Sequence, residues 1–566
     1  MAPRKKTRNA YWIGAPAEAY EAAGIPAGRN TNITAYFRYA FHVTRPTGLN
    51  FKISANSRYR LWINGYPVAS GPCKGDSWRQ YYDTIDASGY LQSGLNCIAV
   101  KVLAYPAYAA KDEEVNPAPL SVMTNGAGPA LMVEGTCRKG KGRILADIAT
   151  GYGKWLVSLD NATEWVAFPE NFWMGASEKV NGSRLPHGWK TLPDPEGHWF
   201  RAKCEWMAAG DPNDLIHGIL PPMPLKERPI PMLLETKRFF QREMPLGHAD
   251  EEASGKPEES LSFPALDHDD TAVSLKPMHR YVAVLDAGEL TTGFLTLRLQ
   301  GGADSSIHIR YAESFYRTTE DGGVKKEIRD DSEHGILPGH EDVYLPAGME
   351  EQETYEPFWF RTFRFVRLEV NTGADPMSLY PPTFLETGYP LDVITNVESS
   401  ASWVNGVWDI SLRTLKRCMH ETYEDCPYYE QLQYAMDTRS QILFSYMVSG
   451  DTRLAEKAME DFRCSLMPNG LLQSRYPSRQ PQVIPIFNIY FIFMMEDYYW
   501  QTGKVDLIRK YRSVIDGILE WFEGKIGDSG LIEDLGYWPF VDWVDGWDHG
   551  VPAAVEKGFS LLYIMA

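Results

Sequence analysis

The 566-residue sequence is poor in cysteine: seven residues, at 73, 97, 137, 204, 418, 426 and 464, an odd number with no CxxC pair. Neither a zinc-knuckle spacing nor a disulfide framework fits, so reduced thiols are expected. Long hydrophobic runs are missing too. The densest stretch, "VIPIFNIYFIFMM", falls short of the ~20 apolar residues a transmembrane helix needs and carries Asn488. The basic start "MAPRKKTRN" is followed by no apolar h-region, so no signal peptide is read. A cytoplasmic location is expected, with a periplasmic or secreted one as the alternative where a leader has been removed. Positive charge is in deficit: 56 Lys and Arg against 74 Asp and Glu leave a net charge of -18. That balance argues against nucleic acid or an anionic membrane as partner and suits a neutral ligand.

What is present is ordinary globular sequence, too long for one core, since single cores stop growing near ~250–300 residues. After an N-terminal extension (1–36), residues 37–210 read as a β-sandwich. "FRYAFHV", "LNFKISA", "YRLWING" and "NCIAVKVLAY" alternate and are separated by Gly, Pro and Asn turns. Asn64-Gly65 supplies the positive-φ pair of a tight hairpin. Residues 211–276, Pro-rich and then acidic ("HADEEASGKPEES"), read as a linker or loop region. A second β-sandwich is expected over 277–392, from "RYVAVLDAG", "GFLTLRLQG", "SSIHIRYAE" and "RTFRFVRLEV".

From 393 to 566 the spacing turns helical. Helices are expected over 401–420, 429–449, 451–465, 485–502, 504–524 and from 552 onward. In the first, Trp403, Val407, Ile410, Thr414 and Leu415 form the apolar stripe. The sequence stops in "GFSLLYIMA", an uncapped apolar segment, which predicts a chain cut within a domain.

The stretch "YEDCPYYEQLQYAMDTR" (423–439) crowds Glu424, Asp425, Glu430 and Asp437 among tyrosines. With Glu430 opening the second helix, positions 430, 434, 437 and 441 share one face. The plain alternative is an acid stripe in water, but the stripe has no basic companion before Arg439. Paired carboxylates suit glycoside hydrolysis, in which a protonated acid serves the leaving oxygen and a carboxylate activates water or attacks carbon. Burial and like charge raise one pKa so that it stays protonated, and aromatic rings offer faces to a sugar. A second cluster, "YWPFVDWVDGWDHG", holds Trp538, Asp542, Trp543 and Trp547; its plain reading is a loop anchored by buried tryptophans. Asp545, Asp548 and His549 lack a metal-site spacing, so no metal and no cofactor is expected. "GPCKGD" lacks the Lys-Ser/Thr of a phosphate loop. Cys426 reads as a buried thiol beside Pro427, and His420 as a side chain favourable at a helix C-terminus.

"EDCPYYEQLQYAMD" resembles the catalytic signature of the α-L-rhamnosidases of glycoside hydrolase family 78, commonly D-C-P-x-R-x-E-R-x-G-W-x-G-D. "NGYPVASGP…YYDTIDASGYLQSGLNCIAVKV", "LDAGELTTGFLTLRLQG" and "FVDWVDGWDHGVPA" are similar to further segments of that family, so the resemblance runs from about residue 37 to the end. It implies β-sandwich domains followed by the first half of an (α/α)6 barrel, in an enzyme that removes terminal α-L-rhamnose with inversion. Rhamnose-containing glycosides or polysaccharides are the implied partners. It also implies that Glu430 is the general acid, that Asp425 and Asp437 hold rhamnose hydroxyls, that Tyr434 stacks on the sugar, and that Asp542 and Trp543 line the pocket with Trp538 and Trp547 nearby. The general base is expected later in the barrel and not in this chain. This sequence departs from the pattern with one residue fewer between Pro427 and Glu430, Tyr429 near the usual Arg, Gln431 for the second Arg and Met436 for a Gly. These departures mark a divergent subgroup and bear on recognition of the sugar hydroxyls. Alternatives are another inverting glycosidase or a lyase on the same barrel, separable by a panel of aryl glycosides, and a non-catalytic carbohydrate-binding protein, which would bind without hydrolysis.

Overall fold

A computed structural model describes residues 10–26, 31–106, 118–119, 121–123, 127–140, 143–166, 173–191, 193–209, 221–245, 258–319 and 322–566. Of the acidic stretch 248–260, residues 248–257 lie outside these.

Two antiparallel layers form the first sandwich. In one, the strand Ile33–Val43 pairs along its whole length with Gly94–Ala104, which pairs in turn with Arg58–Ile63. In the other, Gly48–Asn56 lies between Ala130–Lys139 and Gln80–Asp86. Side chains alternate, and Phe37, Ile53, Leu61, Val100 and Val133 meet in a dry core. The 58–63 hairpin turns at Asn64 (φ 53°) and Gly65 (φ 85°), the left-handed pair that fits the right-handed twist of the flanking strands.

Segments read from sequence as an extension and a linker belong to the sheets. Tyr11–Gly14 pairs with both Lys203–Met207 and Ala130–Lys139, and Trp12 is fully buried. Helix α1 (Ala17–Ala23) follows it. Within 211–276, Leu225–Glu227 runs parallel to Gln80–Asp86, and Leu234–Phe239 pairs with Thr383–Gly388. Pro-rich composition hid these short strands, whose partners lie over a hundred residues away.

The second β unit is organised on one 22-residue strand, Arg280–Gly301. Its pairing with Arg361–Asn371 slips between Asp286 and Thr291, a bulge that carries Gly288 at φ 86° and re-aims Glu289. Glu289 then receives Arg413 at 3.2 Å and Arg417 at 2.9 Å from the helical region, while Arg417 Nε donates to the Leu290 carbonyl at 3.0 Å.

The helical region comprises α2 (Ser402–Arg417), α3 (Ala435–Val448), α4 (Arg453–Cys464), α5 (Pro485–Thr502), α6 (Asp506–Glu523) and α7 (Val555–Met565). The apolar stretch noted in the sequence is α5, a core helix packed against α3, α4, α6 and α7. No described helix is long and apolar enough to cross a membrane. The stripe expected to bury α2 does so only at Leu415, since Trp403, Val407 and Ile410 are more than half exposed. The arginine contacts to Glu289 turn the helix so that Trp408, Leu412 and Leu415 face the core instead.

A buried charge network joins the first sandwich to the helical region. Glu421 accepts two bonds from Arg58, at 2.6 and 2.9 Å, and one from the Lys74 backbone N–H at 3.0 Å, with Arg228 at 3.7 Å. The "GPCKGD" loop is thus an interdomain anchor. Nearby, Arg79 (3.0 Å) and Lys457 (2.7 Å) share Asp461.

Candidate active site

The loop between α2 and α3 builds the site. The Gln431 N–H donates to the Cys426 carbonyl at 2.9 Å and the Asp425 N–H to the Leu432 carbonyl at 2.9 Å, closing a turn with Glu430 near its tip. Gln431 sits at φ 56°, and Tyr434 pairs in extended form with Arg475. Helix α3 therefore begins at Ala435, five residues later than the expected Glu430 start. Left-handed backbone at 431 stops the helix from extending backward, and Glu430 and Tyr434 are presented from a loop.

Asp425, Glu430, Tyr434 and Asp437 are brought together. Asp425 and Glu430 are hydrogen-bonded carboxyls. Burial and then the charge of Glu430 push Asp425 well above the usual carboxylate range, and burial raises Glu430 as well. Two carboxyls this close favour a state in which one of them keeps its proton. The bond from Asp425 and then the charge of Arg475, which itself donates to the Tyr434 hydroxyl, oppose that rise at Glu430. Asp437 is pushed up to about 6 by burial, then by the charges of Glu430 and Asp542. Cys426 stays a thiol, since burial and the neighbouring Asp425 drive its pKa up.

The positions where the family signature carries arginine are used differently. The Tyr429 hydroxyl lies 3.0 Å from both the Tyr316 hydroxyl and Lys326 Nζ, on the second β unit. The Gln431 amide accepts from Trp359 Nε1 at 2.8 Å and donates to the Pro427 carbonyl at 3.0 Å, so it faces away from the acids. The guanidinium comes from Arg475 instead. It is 5% exposed, donates from Nη1 to the Tyr434 hydroxyl at 2.9 Å, and is flanked by the rings of Trp173 and Tyr434. Its Nε is buried with no partner, a donor available to a ligand oxygen. Arg475→Met is expected to lower kcat/KM by roughly 10–100-fold, the size of a lost bond from a charged donor. It should also move the alkaline limb of the pH–rate profile upward, because removing the cation raises the pKa of Glu430. An unmoved limb would make Arg475 a merely structural residue.

The 537–550 loop folds on Phe540, which packs on Phe487, itself edge-on to Tyr434 at 6.3 Å. Trp538 lies 4.6 Å from the Phe540 ring and donates to the His549 carbonyl at 3.1 Å. Asp542 contributes its charge to the acid cluster, and its carboxylate accepts from the Trp543 N–H at 2.7 Å. Trp543 is 70% and Trp547 36% exposed. His420 does not cap α2, which ends at Arg417; it is buried, stacked on Phe360 at 4.4 Å and 3.2 Å from Glu424.

Sequence reasoning missed Arg475 and Trp173. Arg475 had a faint signal, one of two arginines in the polar, Pro-containing "QSRYPSRQP" between two helices. Trp173 had none, because its backbone N–H reaches the Tyr429 carbonyl (2.8 Å) from the far end of the β region.

β-Sandwich domains that brace a helical domain whose inter-helix loops gather carboxylates among aromatics define a multidomain glycoside hydrolase. Residues 276–380 match the bacterial α-L-rhamnosidase concanavalin-like domain, and residues 392–557 the bacterial α-L-rhamnosidase six-hairpin glycosidase domain. No curated protein matches the sequence. Among solved structures, a family 78 rhamnosidase of Bacillus sp. GL1 is 17% identical with a TM-score of 0.76, covering 99% of this chain and 74% of its own. The Dictyoglomus thermophilum α-L-rhamnosidase is 17% identical, TM-score 0.65, covering 98% of this chain and 55% of its own. The Streptomyces avermitilis enzyme, solved with L-rhamnose, is 16% identical, TM-score 0.59, covering 94% and 46%. This chain thus spans about three quarters of the first and about half of the other two. At these identities the structures speak for the fold, and the two domain models carry the family. Residues 276–380 and 392–557 thus form two domains of the bacterial α-L-rhamnosidase kind.

Proposed function

We propose that the protein hydrolyses terminal α-L-rhamnosides with inversion, and that the proton shared by Asp425 and Glu430 is the one delivered to the glycosidic oxygen. That buried carboxyl pair is the observation on which the reading stands. A proton kept near neutral pH on the pair passes to Glu430, and from Glu430 to the leaving oxygen as the C–O bond breaks. A second carboxylate outside this cluster activates water on the opposite face, at the ~6.5–9.5 Å separation typical of inverting enzymes. Arg475, Asp437 and Asp542 would take sugar hydroxyls, and Trp538, Trp543 and Tyr434 would offer ring surface. Helices α2–α7 would form three of the six hairpins of an (α/α)6 barrel. In the protein with all six hairpins and its general base, cleavage of p-nitrophenyl α-L-rhamnoside, with the corresponding α-L-fucoside and β-D-glucoside left intact, is the expected outcome. NMR should detect β-L-rhamnose as the first product. First release of the α anomer would exclude inversion, and equal turnover of the fucoside would exclude the substrate assignment.

A further inference from the structure

A cavity of about 320 Å³ opens between the first sandwich, residues 185–191 and residues 352–358 of the second β unit. None of Asp425, Glu430, Tyr434, Asp437 or Arg475 lines it. Its size falls at the lower end of the ~300–1,000 Å³ usual for small-molecule sites. What sets it apart is unpaired charge.

Arg60 is only 4% exposed. Its guanidinium lies over Phe294 at 4.2 Å, and Nη1 reaches the Pro357 carbonyl at 3.4 Å, but Nη2 is buried with no partner. Lys190 Nζ sits 4.2 Å over the Trp62 ring, and Lys101 Nζ lies 5.7 Å from the Tyr36 ring centre. Among the described residues, neither lysine has a carboxylate at ion-pair distance. A buried guanidinium such as that of Arg60 normally has a partner for each of its donors.

Of the lining carboxylates, Glu353 is turned to the Tyr344 hydroxyl at 2.6 Å and the Ala347 N–H at 3.0 Å rather than to these cations. Burial would push Glu356 up, but Arg60 and Lys190, then a bond from Thr296, then Lys101, outweigh it and hold Glu356 ionised. Glu178, 1% exposed, accepts from the Phe358 N–H with Oε1 at 2.6 Å, while Oε2 is buried with no partner. Burial pushes Glu178 up to about 7, so it offsets cations only in part near neutral pH. The cavity therefore presents an unpaired guanidinium nitrogen at Arg60 with Lys190 on the same lining, and an unpaired carboxylate oxygen at Glu178. The aromatic faces are already covered by the cations, which disfavours a neutral sugar stacked on a ring.

We propose that this cavity binds a small hydroxy-carboxylate of monosaccharide size, a sugar acid. Its carboxylate would be received by Arg60 Nη2 and Lys190 Nζ, and a hydroxyl would donate to Glu178 Oε2. The inference stands on the cavity alone and does not depend on the hydrolase reading.

D-glucuronate titrated into the intact protein, followed by calorimetry and saturation-transfer NMR, tests it. Saturable binding is expected for glucuronate and not for D-glucose. Lys190→Gln, at a half-exposed position, should weaken binding by tenfold or more with the fold intact by circular dichroism. Arg60→Gln should do the same where it folds. Glu430→Gln should leave binding unchanged. The proposal is overturned if glucuronate does not bind, as for a cavity filled by water alone, or if glucose binds equally. It also fails if inorganic phosphate competes as well as the sugar acid, if Lys190→Gln binds normally, or if Glu430→Gln abolishes binding.

Discussion

Glu430→Gln is expected to lower kcat by about 10²–10⁴-fold on alkyl rhamnosides, the range that general acid catalysis contributes. The amide keeps the shape and the bond to Asp425 but cannot release a proton to the leaving oxygen. The loss should shrink sharply on 2,4-dinitrophenyl rhamnoside, whose leaving group departs without protonation. A residue that only shapes the pocket would lose both substrates alike. Near wild-type turnover of a natural rhamnoside by Glu430→Gln would remove Glu430 from the mechanism.

The same experiment extends to the partner. Burial and the charge of Glu430 raise Asp425, and burial raises Glu430 as well. Asp425→Asn removes the competing negative charge and leaves an N–H that stabilises ionised Glu430. The pKa of Glu430 then falls, and the alkaline limb of kcat/KM should move to lower pH. An unmoved limb would confine Asp425 to holding sugar hydroxyls.

Glu421→Gln is expected to destabilise the protein by about 3–5 kcal/mol, the typical effect of stripping one partner from a buried ion pair. Arg58 would lose its two charged acceptors while it remains under the helical region. Glu421 opposes its own burial through the charge and bonds of Arg58, then Arg228 and Lys74, and its pKa drops to about 2. The folded value lies below the unfolded ~4.5, so the stabilisation is fully present above pH ~4.5 and is lost as pH falls toward 2. The shift corresponds to about 3 kcal/mol at ~1.4 kcal/mol per unit, in line with the mutational figure. Urea denaturation of Glu421→Gln and the parent should differ widely at pH 7 and converge near pH 2. A constant difference across that range would mean the pair's charge is not what stabilises the interface.

The strand Arg58–Ile63 shows how far sequence reaches. Alternation places Tyr59, Leu61 and Ile63 in the sandwich core, as found, and marks Arg58, Arg60 and Trp62 as the outward face. Outward in sequence means solvent. Here all six residues are buried, because the helical region and the second β unit close over that face. Arg58 thereby becomes an interdomain ion pair and Arg60 the wall of a charged cavity. In strand Ser306–Ala312, by contrast, the alternation of "SSIHIRYAE" puts Ile307, Ile309 and Tyr311 inside and leaves His308 and Arg310 half-buried, as found.

The acid cluster divides the same way. The density of acids among tyrosines was local, so Asp425, Glu430, Tyr434 and Asp437 could be picked from seventeen consecutive residues. That Glu430 stands on a turn rather than in the helix depends on one positive φ at Gln431 and on pairing with Arg475, over forty residues away. By itself, the sequence determined the order of β and helical regions, the core face of most strands, the family signature and the identity of the acids, since periodicity and short motifs are local properties. Only the tertiary structure decided which cation serves those acids, that Asp425 and Glu430 share one buried pocket, and which charged face is buried. Each of these is set by desolvation and by partners from distant segments.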